Sequence, residues 1–167
     1  MDINIQETKL QEAAALGTDA FLSCIHDSIL SAVGGEVNAE TLQLLNGEQV
    51  TLLAYFIFRE EVMDGGFIQL IHNGYGPFIF LNPFAKAMRL WGAHEFSKLV
   101  YKGRKLFEKY GDKLTADCTD EEFMSLFEQY PEFDDLDDAF IEMEEEVTDI
   151  IAHYVDENLE KFIIIKN

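Results

Sequence analysis

Cysteine is scarce. Two residues in 167, Cys24 and Cys118, stand at no motif spacing, so a disulfide framework is excluded and reduced thiols in a cytoplasm are expected. Long apolar runs are lacking as well. The longest, Leu52 to Phe58, is far shorter than the ~20 residues a membrane-spanning helix needs. Met1 to Leu10 shows neither a basic n-region nor an apolar h-region, and no secretory signal is expected. Basic residues are few: 12 Lys and Arg face 32 Asp and Glu, for a formal net charge of −20. A charge of that sign repels phosphate backbones and anionic lipid surfaces. Direct binding to nucleic acid or membrane is therefore not expected, and a basic partner is favoured.

Catalytic and metal-binding patterns are missing too. His94-Glu95 lacks the second histidine of a zincin, since position 98 is lysine, and no Glu-x-x-His pair of a di-iron bundle occurs. Asp134 to Asp138 fails the EF-hand pattern, with Leu136 at the third position. The Asp64-Gly65-Gly66-Phe67 turn has no following Lys-Ser/Thr and reads as a helix terminator rather than a P-loop. No catalytic residue, metal or cofactor is expected.

What is present is the material of a core. The chain is 48% apolar, with 14 Phe and 6 Tyr, unlike the aromatic-poor composition of a disordered acidic protein. No internal repeat or low-complexity linker divides it, so one globular domain over residues 1–167 is expected. The pattern predicts an all-α fold of about seven to eight helices. Gln6 to Leu16 is a modest helix ended at Gly17, and Thr18 or Asp19 caps a second that ends at Gly34-Gly35. Asn38 caps a short helix closed by Asn46-Gly47. Glu48 to Met63 is a helix apolar nearly all round, hence central. Asp64-Gly65-Gly66 stops it, and a short helix fits Phe67 to His72, a strand being the alternative. Asn82 as cap and Pro83 at the first helical position open the next, to about Gly92. Glu95 to Tyr110 follows, ended by Gly111. Thr119 to Glu122 is a capping box that starts a helix through Gln129. Pro131 separates it from a long acidic helix.

That last helix organises the chain. From Asp112 to Glu160 there are nineteen acidic residues and one basic residue, Lys113. Leu136, Phe140, Met143, Val147, Ile150 and Tyr154 share one face by their spacing of four and three. Asp135, Asp138, Glu142, Glu145 and Asp149 form a stripe on another, and Glu146, Asp156, Glu157 and Glu160 extend it. An ordinary solvated helix mixes in lysine, because like charges at i,i+4 each cost a few tenths of a kcal/mol. Clustered carboxylates predict modest stabilisation by mild acid or salt. A basic block opposes the acidic one: Lys86 to Lys109 holds seven Lys or Arg, with Lys98, Lys102, Lys105 and Lys109 in a stripe. The closing run Phe162-Ile163-Ile164-Ile165 is expected to cover a core groove or a dimer seam.

Glu60-Glu61-Val62-Met63-Asp64-Gly65-Gly66-Phe67-Ile68-Gln69, followed by Asn73-Gly74, resembles the glycine-rich signature of the DMP-type DNA-mimic protein domain family. Ala85 to Ala93 is similar to that family's next helix, and Tyr130-Pro131-Glu132-Phe133-Asp134-Asp135-Leu136-Asp137-Asp138-Ala139-Phe140 to its Phe-Asp-x-Leu-Asp start of the last long helix. The likeness covers roughly residues 40–162. It implies an all-helical, acidic homodimer whose carboxylates imitate DNA phosphates and block the DNA-binding face of a helix-turn-helix transcriptional regulator.

One helix does not reach the charge density of duplex DNA, so acids from Asp112, Asp117, Asp120, Glu121 and Glu128, or from a second protomer, are needed. The expected partner-binding surface is Asp135, Asp138, Glu142, Glu145, Glu146, Asp149 and Asp156, with Asp120, Glu121 and Glu128. The competing reading is a non-mimic acidic adaptor or immunity-like protein that holds another basic partner.

Overall fold

Nine α-helices make up most of the chain in the computed structural model, which describes residues 1–167. The class is all-α as expected; the pattern lacks one short helix at Gly76–Phe80, and the expected helices Glu48 to Met63 and Phe67 to His72 run together across the Gly65-Gly66 break. In order the nine are α1 (Glu7–Leu16), α2 (Thr18–Ala32), α3 (Ala39–Leu42), α4 (Gly47–His72), α5 (Gly76–Phe80), α6 (Phe84–Leu90), α7 (His94–Leu114), α8 (Asp120–Gln129) and α9 (Asp134–Glu157). Short 3-10 turns, Pro131–Phe133 and Leu159–Lys161, flank α9. The sequence reading lacks one feature. Strands β1 (Asn4–Gln6) and β2 (Ile164–Lys166) pair in parallel, Ile5 opposite Ile165. The β-branched tail thus closes on the chain's own first residues, burying Phe162 and Ile163.

Side-chain caps mark the starts of α3, α4 and α8, and four expected helix ends are corrected. Asn46-Gly47 opens α4 rather than only closing what precedes it. Asn46 Oδ1 accepts from the Gln49 amide at 2.8 Å and Gln49 Oε1 from the Asn46 amide at 3.1 Å, a reciprocal cap. Gln49 Nε2 also donates to the carbonyls of Met1 and Phe162 at 2.9 Å each, which ties both chain ends to this helix start. Asn82 does not cap α6: its Nδ2 donates back to the Phe78 carbonyl at 3.1 Å, and Pro83 takes the cap position. Gly111 does not end α7. It is buried within the helix, where a Cβ would come within 2.9 Å of the Phe107 ring, and the helix runs on to Leu114. Neither Thr18 nor Asp19 caps α2, whose cap position is Gly17 without a side-chain bond. At α8 Thr119 accepts from the Glu122 amide as expected.

The chain forms two compact units, Met1–Phe56 with Thr148–Asn167, and Ile57–Val147. In the first, Leu22, Ile25 and Ile29 of α2, Leu52 and Tyr55 of α4, Ile151 and Val155 of α9, and Phe162 are fully buried. Within it the Tyr55 hydroxyl bonds the buried Thr148 hydroxyl at 2.7 Å. The second is centred on Phe58, whose ring meets those of Phe67, Phe96 and Phe140 edge-on at 5.3, 5.0 and 4.9 Å between centroids. No helix is long and apolar enough to cross a membrane.

Candidate functional site

The inward face of α9 is Leu136, Phe140, Val147, Ile151 and Val155, all buried. Its later part differs from the expected face: Ile150 and Tyr154 are half-buried, and Ile151 and Val155 take their place. The apolar set drifts because a straight helix turns about 100° per residue, so a strict four-three pattern slips over six turns.

The acids of α9 sort by this same rotation. Asp135, Asp138, Glu142, Glu145, Glu146, Asp149 and Asp156 are exposed on the side turned away from the core face. Asp137 and Glu144 are not. Seven residues apart and separated by Phe140, they lie on the inward side with protein partners: Asp137 on the Phe67 amide and Glu144 on Arg59 at 3.7 Å. Sequence reasoning missed both roles. The signal was the spacing itself, which places 137, 140, 144 and 147 on one face.

Asp137 explains why the glycine pair and the Phe-Asp-x-Leu-Asp run occur together. Gly65 and Gly66 break the helical backbone inside α4, Gly66 at φ 76 and ψ −176. The chain restarts at Phe67 with an amide lacking a helical acceptor, and Asp137 Oδ1 accepts from it at 2.8 Å. A carboxylate from α9 thereby caps the second half of α4. A Cβ on Gly66 would collide with that carboxylate, and one on Gly65 with the Gln69 side chain. Gln69 Nε2 donates to Glu61 at 2.9 Å and Asp64 at 3.0 Å across the kink.

Burial pushes the Asp137 carboxyl up to about 6 against the opposing pull of the Phe67 amide, with Asp134 and Asp138 adding repulsion. The expected response to mild acid thus has a carrier, and its main cause is burial rather than crowding along the stripe. Because the folded form holds this proton more tightly than the unfolded chain, the stability it contributes is complete below the unfolded value of 3.8. It is lost as pH rises through about 6. Lowering pH from 7 to 5 should stabilise the protein by about 1 kcal/mol from this half-buried group after solvent screening. Asp137→Asn should remove that slope in urea titrations at the two pH values. An unchanged slope would place the titration elsewhere.

Of the expected acids outside α9, Asp112 is on α7, Asp117 lies between α7 and α8, and the other three stand on α8. Asp120 and Glu121 are exposed in its first turn, where carboxylates offset the exposed amide dipoles, so their position has a local cause. Glu128 is exposed near the helix end.

Two cations of the basic block pair within their own helix. Lys98 pairs with Glu95 at 3.1 Å and Arg104 with Glu108 at 2.9 Å, both within α7. Its reach toward the acidic segment is at Glu132, held below the usual carboxylate range chiefly by the Tyr110 hydroxyl, with Lys109 contributing. No group of three or more His, Cys, Asp or Glu is arranged to hold a metal ion. What the arrangement offers is a row of carboxylates held in register by a buried helix face.

The model of the DMP19-like protein family matches residues 43–158. Over 124 residues, 74% of this chain and 75% of the relative, the sequence is 36% identical to the DNA mimic protein DMP19 of Neisseria meningitidis serogroup B (strain ATCC BAA-335 / MC58).

Proposed function

The chain belongs to the DMP19-like protein family, and from that premise we propose that it is itself a DNA mimic, a binding protein rather than an enzyme. Its outward carboxylates occupy the arginine and lysine contacts that a helix-turn-helix transcriptional regulator makes to DNA phosphates, in the cytoplasm. The observation that carries this is the division of acids on α9: Asp137 and Glu144 serve the fold, while Asp135, Asp138, Glu142, Glu145, Glu146, Asp149 and Asp156 face outward. Successive acids in the row are about 5–6 Å apart, against one charge per roughly 1.7 Å of duplex axis. Asp120, Glu121 and Glu128 of α8 and a second protomer raise that density.

The protein should therefore be a symmetric dimer. Ile164 and Ile165 remain 37% and 42% exposed on the small parallel sheet, an unpaired apolar edge that a second copy would cover. Light scattering should give twice the 19.1 kDa chain mass above micromolar concentration. A monomer there would contradict the dimer.

The test of function is exclusivity. A regulator captured from lysate and loaded on labelled operator duplex should release the duplex as this protein is added. One observation favours the second reading: the exposed cationic residues Lys98, Lys102, Lys105 and Lys109 of α7 are unlike DNA. A stable ternary complex of regulator, duplex and protein would identify an adaptor instead.

A further inference from the structure

Beside the second half of α9 runs an open groove of ≈ 510 Å³. Ala14, Thr18 and Phe21, from the joint between α1 and α2, line one side, and Asp149, Ala152 and Asp156 line the other. The bend at Gly17, φ 125, creates the recess by turning α2 away from the line of α1. Phe21 and Ala152 are almost wholly buried and form its floor, while the two aspartates are exposed at its rim. His153, between them, is engaged by Glu157 at 3.1 Å. Asp149 and Asp156 are seven residues apart, so their backbones are about 10 Å apart along the helix axis. That separation is too long for one cation to bridge and suits two.

Resting on the mimic reading, we propose that this groove receives two arginine side chains of the DNA-binding partner. Their alkyl stems lie over Phe21, Ala14 and Ala152, and one guanidinium reaches each aspartate. Arginine fits better than lysine, because its flat, weakly hydrated head bonds a carboxylate through two N–H groups while its stem covers apolar surface. A row of carboxylates on a convex helix attracts cations without ordering them. A groove with an apolar floor gives two of them a fixed register.

The probe is a blocked tetrapeptide, Arg-Ala-Ala-Arg, which in a polyproline II conformation of three residues per turn sets its arginines on one side about 9 Å apart. Titrated into ¹⁵N-labelled protein at low salt, it should shift the amides of Ala14, Thr18, Phe21 and Ala152. It should bind at least tenfold more tightly than Ala-Ala-Ala-Arg. Ala14→Trp fills the groove from an exposed position without altering charge and should abolish the effect. Asp149→Asn with Asp156→Asn, which changes no volume, should abolish it independently. No binding, or shifts spread along all of α9 that Ala14→Trp leaves intact, would overturn the groove.

The two readings fail separately. If wild type and Ala14→Trp displace operator duplex equally, the groove is overturned and the mimic stands. If wild type displaces none, the mimic falls, and the peptide still decides whether the groove binds arginine.

Discussion

Gly66→Ala should destabilise the protein by about 2–4 kcal/mol, far more than an exposed glycine usually does. Gly66, at φ 76 and ψ −176, occupies a backbone region almost closed to residues with a Cβ. Forcing alanine into it costs roughly 1–3 kcal/mol. The new methyl would also collide with the Asp137 carboxylate, displacing the cap on Phe67 at a further cost of about 1 kcal/mol. Gly74 is the internal control: it too has positive φ, at 88, but open space where a Cβ would stand. Gly74→Ala should cost only the backbone strain, about 1–2 kcal/mol. Asp137→Ala and Gly66→Ala remove the same hydrogen bond, so the double variant should lose less than the two separate losses together. Urea titrations at pH 7 measure the four variants against wild type. Equal losses for Gly66→Ala and Gly74→Ala, or simple additivity, would show that the Asp137 cap is not what the glycine makes room for.

The second large effect is on binding. Asp138→Asn, Glu142→Gln, Glu145→Gln and Asp149→Asn together remove four charges from one exposed face. Single changes at a solvated rim are each worth under about 1 kcal/mol, because counter-ions screen them over about 10 Å at 0.1 M salt. Acting together they should weaken the complex on the order of 10²-fold at that salt, mainly by slowing association. They should also flatten its salt dependence. Folding should be unharmed or slightly improved. Leu136, Phe140 and Val147 keep the inward face, and repulsion at i,i+4 is relieved.

Helix existence was legible in the sequence wherever apolar spacing or a cap marked it: spacing in α2 and α9, the Thr119 cap in α8. Element ends were less so. Asn46 was read as a stop because Asn-Gly ends helices often, yet Gln49 three residues on is the reciprocal half of a cap. Gly111 was read as a terminator because glycine often ends helices, yet it stands one turn after Phe107 on the same helix and packs against that ring. The parallel pairing of β1 with β2 joins opposite ends of the chain, and two three-residue segments carry no periodicity from which to infer it. At the candidate surface, the seven acids of α9 expected from charge and spacing are all exposed. The inward roles of Asp137 and Glu144 stayed hidden because composition weighs every carboxylate alike. Only a partner, the Phe67 amide or Arg59, sets one acid apart from its neighbours.

The claim that the outward face of α9 stands in for phosphate is tested most directly by competition on one regulator. Wild type and the quadruple variant are titrated against the same regulator–operator complex, and the released labelled duplex is followed by fluorescence anisotropy. The account predicts that wild type releases the duplex and that the variant needs on the order of 10²-fold more protein to do so. Equal release by both would contradict it and leave α9 as a solvated face.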